Sequence, residues 1–293
     1  MRLSSSNRPV ERAQPWLGTL VSVRVEGLSA AEAHRAIDAT FQEIATVHRL
    51  MSFHEAVSDV SELNARAHRM PVAVHPYTRD VLRWSLRFSA LSDGCFDISV
   101  AAELVDWRML PIPPILRRRP ARRPEGCWRD IEIRPDGKVQ FHRPLWIDLG
   151  GIAKGYAVDR AAECLRRQGA SFGVVNAGGD IRVSGRRAEP IGLGLKTNRQ
   201  RFPNDFPVIE LTDGSIASSI GGPHIDGASR TAAAKDRFVC VVAERCVVAD
   251  ALTKIVMAKG TGCAGLLREL RASAHIHDLG TGWQHLESSL EAA

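Results

Sequence analysis

The chain has 293 residues, of which 44% are hydrophobic and 25% are charged, and its formal net charge is +6. These values are ordinary for a soluble globular protein, and the length allows a large core in one or two domains. The positive charge suits an anionic ligand, but nucleic acid is not expected, because no binding motif and no interleaving of basic and aromatic residues accompanies it.

The cysteines and the apolar runs indicate the cellular location of the protein. The six cysteines show no CxxC pair and no regular framework, which favours reduced thiols in a reducing compartment. No run approaches the roughly 18 apolar residues of a membrane span, and the first nine residues lack the apolar core of a secretory signal. We therefore expect no membrane span and a cytoplasmic location, whereas a leader preceding Met1 would place the protein in the periplasm.

The first elements are read from periodicity. Residues 1–15 are polar, and we expect them to be a flexible N-terminus. The stretch from Gly18 to Val25 alternates apolar and polar residues, which predicts a half-buried strand. Ser29 and Glu32 then form a capping box for a helix with an apolar stripe that continues to Met51.

The next two helices and a basic loop follow. Short helical spacing begins at Ser61, and a longer helix is predicted from Tyr77 to Leu91. Residues 111–124 combine prolines with arginines, which predicts an exposed loop because proline removes backbone donors. We interpret the arginines at 117–123 as a solvated surface, with a docking surface for an acidic partner as the alternative.

The centre of the chain reads as a strand, a glycine turn and a helix. Residues 145–147 are predicted to end a strand, and Gly150 and Gly151 allow backbone angles that a residue with a Cβ resists. Apolar residues at helical spacing follow, and Gly169 is the expected stop. Unpaired N–H groups at such a helix start favour an anion, and Lys154 adds a positive charge there. The alternative is a tight turn with one surface lysine.

The second half contains strands and one long helix. Residues 172–176 and 181–183 are predicted to form a hairpin around residues 177–180. Strands are also expected at 206–211 and 238–242, and a helix at 248–259. The tail motif His275-Ile276-His277-Asp278 is interpreted as a surface loop, with a metal site as the alternative.

Several of these segments together resemble one known family. Asp148–Gly155 followed by Asn176–Arg182 resembles the centre of the FAD:protein FMN transferase family, also called the ApbE family. The turn is neither a P-loop nor a Rossmann fingerprint, because it lacks both glycine patterns. Further matching segments occur in the family order between residues 17 and 260: Leu17-Gly18-Thr19, Cys95-Phe96-Asp97, the loop at His224-Ile225-Asp226, and Ala249–Lys254.

The resemblance implies a fold and an activity. The fold would be α+β, with mixed and antiparallel sheets, packed helices and a T-fold-like two-lobed architecture that holds FAD in its cleft. Residues 16–293 would form a single domain of two interleaved lobes. The activity would be transfer of FMN from FAD to a threonine hydroxyl of an acceptor protein, with release of AMP. Two alternatives stay open: a non-catalytic FAD-binding carrier, and an FAD pyrophosphatase that releases FMN and AMP.

The resemblance also implies site residues. The cofactor-binding set carried over to this chain is Leu17, Cys95, Phe96, Asp97, Asp148, Lys154, His224 and Ile225. Phe96 and Asp97 would contact the adenosine half of FAD, and the catalytic set is His224, Asp250 and Lys154. The segment around His224 departs from the family pattern, since it is shorter by one residue and has lost a proline.

A magnesium site is implied with one departure. The backbone carbonyl of Gly151 and the carboxylate of Asp250 would be ligands, but Lys254 stands where the family has a threonine ligand. Two arrangements stay open. Thr253 and Asp250 hold a weakened Mg²⁺ while Lys254 turns away, or Lys254 replaces the metal and contacts the pyrophosphate as a point charge.

Overall fold

A computed structural model describes most of the chain. The described ranges are 8–112, 124–193, 207–221, 224–233, 236–278 and 281–287. The arginines expected at 117–123 to form a solvated surface lie outside them. Within these ranges, no helix is long and apolar enough to cross a membrane.

The helices and strands of the described residues are as follows. The helices are α1 (Ala30–Met51), α2 (Asp59–Arg66), α3 (Pro76–Leu91), α4 (Ala101–Asp106), α5 (Ala153–Arg167), α6 (Cys246–Lys259) and α7 (Ala264–Glu269). The first strands are β1 (Val10–Trp16), β2 (Thr19–Glu26), β3 (Ile131–Ile133), β4 (Val139–Phe141), β5 (Phe172–Ala177), β6 (Asp180–Ser184) and β7 (Glu189–Gly192). The later strands are β8 (Val208–Leu211), β9 (Ser215–Ile220), β10 (Ile225–Asp226), β11 (Thr231–Ala232), β12 (Arg237–Ala243), β13 (Ser273–Asp278) and β14 (Gly282–Leu286).

One large sheet organises the fold. Its strand order is β1-β2-β5-β6-β9-β12-β13-β14, and each neighbouring pair is antiparallel. The turn between β1 and β2 is Leu17-Gly18, and the turn between β5 and β6 is Gly178-Gly179. All four residues have positive φ, the conformation that tight hairpins require. The expected α+β class is confirmed.

Helices cover one face of this sheet. Alternate residues of β2 point inward, so Val21, Val23 and Val25 are fully buried as predicted. They pack with buried side chains of α1 and α5 in one cluster. A second cluster on the other face joins β6, β9 and β12 to the β7–β8 hairpin. The site described below lies where α5 and α6 meet the sheet.

The strand at the N-terminus was not expected. Val10–Trp16 forms β1 and pairs along its whole length with β2, so the prediction of a flexible segment up to residue 15 is wrong from residue 10 onward. The strand was missed because its side chains are only half-buried or exposed, which leaves little hydrophobic alternation. Backbone hydrogen bonds to β2 order it instead.

The extended segment before the glycine turn is not a strand. The prediction of a strand ending at Ile147 is wrong, because a side chain takes the place of a neighbouring strand. The amide of Asn64 donates to the carbonyl of Ile147 at 3.0 Å and accepts from its N–H at 2.7 Å. Asn64 is buried, so these two bonds fix the chain just before Asp148.

The tail motif is a strand rather than a surface loop. Ser273–Asp278 forms β13 between β12 and β14, so the surface-loop prediction is wrong. Ala274 and Ile276 are 0% and 1% exposed, because alternate residues of the strand face the core, and His277, on the opposite face, is also buried, at 5% exposed. His275 stacks on His285 of β14 with ring centroids 4.2 Å apart. No group of three or more His, Cys, Asp or Glu side chains suited to a metal occurs among the described residues.

Candidate active site

Two cavities flank the glycine turn. One, called here the Leu17 cavity, has a volume of about 230 Å³ and is lined by Leu17, His48, His54 and Lys154, among others. The other, called the Phe96 cavity, has a volume of about 210 Å³. Asp148 and Gly150 line both, so the turn forms the wall that the cavities share.

The sequence-predicted residues converge on these cavities. Leu17 and Lys154 line the first, Asp148 lines both, and the Phe96 cavity takes the rest: Cys95, Phe96, Asp97, Gly151, His224 and Ile225. Asp250 and Thr253 line neither cavity, and both are fully buried behind the wall. Lys254 does line the Phe96 cavity.

The first glycine of the turn, Gly150, acts by its size rather than by its backbone angles. Neither Gly150 nor Gly151 has a positive φ, so that expectation is wrong. A Cβ on Gly150 would lie 2.9 Å from Oδ2 of Asp148, which accepts the Gly150 N–H at 3.1 Å. The small residue therefore lets the Asp148 carboxylate fold back onto the turn.

Four charged side chains form a cluster beneath the turn, called here the four-charge cluster: Lys154, Asp180, Asp250 and Lys254. Lys154 forms an ion pair with Asp180, and its Nζ lies 4.0 Å from Oδ1 of Asp250. The Nζ of Lys254 lies 2.7 Å from the same Oδ1. The carboxylates are 1% and 0% exposed, whereas the side chains of Lys154 and Lys254 are 29% and 18% exposed. The accessible face of the cluster is therefore positive.

The charged groups of the cluster shift one another's pKa values. Burial and the neighbouring Asp250 carboxylate raise the pKa of Asp180 to about 6. Burial acts in the same direction on Asp250, but the ammonium groups of Lys154 and Lys254 outweigh it and lower the pKa of Asp250. Burial alone would lower the pKa of Lys154, yet Asp250 and Asp180 raise it. Lys154 and Asp250 are therefore ionised at neutral pH.

The helices α5 and α6 cap each other and so hold the cluster. Neither helix has a side-chain cap at its own N-cap residue. Instead Oδ2 of Asp250, on α6, accepts the N–H of Gly155, on α5, at 3.0 Å. In return, Asp159 on α5 accepts the N–H groups of Cys246 and Val247 at 2.8 and 3.0 Å. These bonds satisfy donors that a helix start leaves free.

The residues of the expected magnesium site do not fit that ion. The Nζ of Lys254 has three further oxygens within reach: Thr253 Oγ1 at 2.9 Å, Ser219 Oγ at 3.1 Å and the Asp250 carbonyl at 3.3 Å. Thr253 Oγ1 also donates to the Asp250 carbonyl at 2.7 Å. An ammonium thus lies among the oxygens that a metal would use.

Electrostatic repulsion between Mg²⁺ and the Lys254 ammonium would be large. Mg²⁺ binds oxygen at about 2.1 Å, so a Mg²⁺ on Oδ1 of Asp250 would share that oxygen with the Lys254 ammonium at 2.7 Å. At a separation of about 4 Å and an effective dielectric constant near 20, the repulsion between them is about 8 kcal/mol. The second carboxylate oxygen is also engaged, by the N–H of Gly155.

His224 lies on the wall of the Phe96 cavity. Burial, followed by the nearby Lys254 ammonium, lowers its pKa, so the imidazole is neutral at neutral pH. Its Nε2 lies 3.2 Å from the carbonyl of Ile220. In the tautomer that donates Nε2–H to this carbonyl, Nδ1 is the acceptor.

Asp97 is engaged within the chain. Its Oδ1 accepts the N–H of Ser99 at 2.8 Å, and its Oδ2 accepts Nη2 of Arg230 at 2.8 Å. The carboxylate thereby ties the segment at Phe96 to the loop that follows His224. Cys95 joins the same two segments, because its carbonyl accepts the N–H of Gly227 at 2.8 Å. Direct contact of Asp97 with an adenosine stays a prediction.

Three residues near the site were missed in the sequence. Asp180 had a signal, since it is a carboxylate directly after a glycine turn in the resembling segment, but no role was assigned to it. Ser219 and Arg230 carried no signal, because a serine on a strand and an arginine in a loop are common. Only the folded chain brings Ser219 to Thr253, at 2.9 Å between their hydroxyl oxygens.

The chain is similar to a known family and to curated proteins. The family model described as the ApbE family matches residues 17–222. A FAD:protein FMN transferase of Vibrio cholerae is 26% identical over 231 residues, which are 74% of this chain and 68% of that protein. One of Treponema pallidum is 28% identical over 200 residues, 64% of this chain and 53% of that protein. The chain thus spans between about half and two thirds of their lengths.

Solved structures show the same fold. The ApbE protein of Thermotoga maritima superposes with a TM-score of 0.83 at 23% identity, over 96% of this chain and 98% of that chain. The flavin transferase ApbE of Vibrio cholerae has a TM-score of 0.81 at 23% identity, over 97% of this chain and 98% of that chain.

Proposed function

This chain belongs to the ApbE family, and we propose that it is an FAD:protein FMN transferase. It moves FMN from FAD to a threonine hydroxyl of an acceptor protein and releases AMP. The relatives that carry the same activity in their names support this assignment. The site described above supports it independently.

One observation carries the proposal: two cavities meet at a glycine turn beside which the ammonium groups of Lys154 and Lys254 lie. FAD has two bulky ends joined by a pyrophosphate, and this shape suits two cavities with a shared wall. We assign the flavin to the Leu17 cavity and the adenosine to the Phe96 cavity. The pyrophosphate then lies along Gly150 and Gly151, near the ammonium groups of Lys154 and Lys254.

The reaction is a displacement at phosphorus. The threonine oxygen forms a bond to the FMN phosphorus, the bond from that phosphorus to the bridging oxygen breaks, and AMP leaves with that oxygen. The threonine proton passes to Nδ1 of His224, which is neutral at neutral pH because burial and Lys254 lower its pKa. Lys154 stabilises the charge that develops on the phosphate oxygens.

Magnesium is the family's expected cofactor, and the side chains present here do not accommodate it. Asp250 and Gly151 are retained, but the ammonium of Lys254 lies among the oxygens of that site. Asp250 therefore serves here to hold the two lysines, and no step of the reaction is assigned to a metal.

The test separates transfer from binding and from hydrolysis. The purified protein is incubated with FAD and a threonine-bearing flavin acceptor domain, or with its Thr→Val variant. Transfer predicts AMP and covalent flavin with the threonine form only. AMP and FMN without acceptor would instead show a pyrophosphatase, and FAD binding without AMP would show a carrier; either result overturns the proposal. Calorimetry should also give tighter binding for FAD than for FMN, because only FAD reaches the Phe96 cavity.

A further inference from the structure

We infer that the ammonium of Lys254 replaces the divalent cation in this chain, so that FAD binds through its pyrophosphate without a metal. This inference rests on the proposed function for the identity of the ligand. It concerns how this particular chain holds the pyrophosphate.

The position of the ammonium is built by the fold. Four oxygen atoms surround the Nζ of Lys254. Three belong to α6, namely Asp250 Oδ1 at 2.7 Å, Thr253 Oγ1 at 2.9 Å and the Asp250 carbonyl at 3.3 Å, and the fourth is Ser219 Oγ of β9 at 3.1 Å. The side chains of Asp250, Thr253 and Ser219 are all buried. An ammonium has three donors, so this shell of oxygens is the kind that fixes one cation in one place.

The stem of Lys254 lies along the glycine turn. Its Cγ and Cε lie 3.6 and 3.7 Å from the point where a Cβ on Gly151 would stand. The side chain therefore runs beside the backbone that Mg²⁺ would need to approach, and it borders the Phe96 cavity. A Mg²⁺ that used the Gly151 carbonyl and Asp250 would have to displace this stem as well as its charge.

The charge of the cluster favours an anion on the cavity side. The two lysines and two carboxylates of the four-charge cluster sum to zero, but the carboxylates are 1% and 0% exposed and the lysines 29% and 18%. A ligand in the cavities therefore meets two ammonium groups and no accessible carboxylate of the cluster. A pyrophosphate carries two negative charges, and lysine is a capable phosphate partner.

Affinity measurements test the inference directly. FAD and riboflavin are titrated into the protein in EDTA and in excess Mg²⁺; riboflavin is the matched ligand because it lacks phosphate. We expect FAD affinity to agree within about twofold between the two conditions. Lys254→Met, which keeps the stem and removes the charge, should weaken FAD at least tenfold and change riboflavin less than twofold. The control Lys138→Met, which removes an exposed lysine of the β3–β4 turn outside both cavities, should change neither.

A direct metal measurement adds an independent readout. Mn²⁺ titrations followed by electron paramagnetic resonance should show no site on the wild type. Lys254→Thr should create one, and its FAD affinity should rise at least tenfold when the metal is added. If Lys254→Met does not fold by circular dichroism, the wild-type titrations and Lys254→Arg, which keeps the charge and should retain FAD binding in EDTA, still decide the question.

Three results overturn the inference: a wild type that loses FAD affinity tenfold in EDTA, a wild type that shows the Mn²⁺ site, or a Lys254→Met variant that binds FAD as well as the wild type. None of these results touches the proposed function, which is measured by AMP release with the acceptor. Conversely, metal-free FAD binding without AMP release under any condition would contradict the proposed function and leave this inference standing.

Discussion

The N–H of Gly155 donates to Oδ2 of Asp250 at 3.0 Å, across 95 residues of sequence. The contact exists because Gly155 has no side chain: a Cβ there would lie 2.3 Å from the carbonyl oxygen of Cys246 and 2.7 Å from Cβ of Asp250. Close approach of α5 and α6 thus puts Asp250 between the two lysines of the four-charge cluster.

Replacing Gly155 with alanine should therefore both destabilise the fold and disturb the site. Alanine favours helix by about 1 kcal/mol, but a clash with backbone forces the helices apart, and we expect a net loss of about 3 kcal/mol in the free energy of unfolding. Urea denaturation measures it. The matched control is Gly265→Ala on α7, where nothing lies within 4 Å of the new Cβ; equal stabilities of the two variants would contradict the packing argument.

Asn64 should prove essential for the segment before the turn. Asn64→Leu leaves the buried N–H and C=O of Ile147 without partners, at a cost on the order of 3 kcal/mol. FAD affinity should fall too, because Asp148 comes next in the chain. Thermal unfolding and calorimetry measure both effects, and Gln42→Leu, which also replaces an amide side chain with leucine but on the exposed face of α1, is the control. A variant as stable as that control would show that Ile147 finds other partners.

Removing the charge of Asp250 should disable transfer without unfolding the protein. In Asp250→Asn the two ammonium groups lose the carboxylate that holds them, and AMP release with acceptor should fall on the order of 100-fold or more, the scale of losing one preorganised electrostatic contact. Circular dichroism verifies the fold, and Asp136→Asn, in the exposed β3–β4 turn, is the control. Undiminished turnover would mean that Asp250 does not organise the reacting phosphates.

The acid limb of the pH profile of kcat/KM should reflect the protonation of His224. Burial and Lys254 lower the pKa of this imidazole from its ordinary value of 6.5, so the neutral base persists below that pH. The acid limb of kcat/KM should lie below pH 6.5, and it should move up toward 6.5 in Lys254→Met. The lowered pKa also makes stability depend on pH. Below pH 6.5 the unfolded chain binds a proton at His224 that the folded chain does not, so the contribution of His224 to the free energy of unfolding decreases as the pH falls. An acid limb of kcat/KM that lies above pH 6.5 would exclude His224 as the base.

Elements that depend on interactions between neighbouring residues follow from the sequence alone. The capping box at Ser29, the alternation of β2 and the glycine hairpin before Asp180 all depend on neighbouring residues, and each is confirmed. The resembling segments likewise named the residues that line the two cavities.

The other features depend on partners that are distant in sequence and meet only in the folded chain. The side chain of Asn64 holds the segment that the sequence predicts as a strand, and pairing with β2, together with packing of Val10 and Trp16 against the core, orders β1. The sequence leaves open whether Lys254 turns away from the site or replaces the metal, and the packing of α6 against α5 and β9 decides where its ammonium lies. Burial then places its ammonium among the oxygens of Asp250, Thr253 and Ser219, because a charge withdrawn from water must be met by charges and dipoles that the fold brings to it.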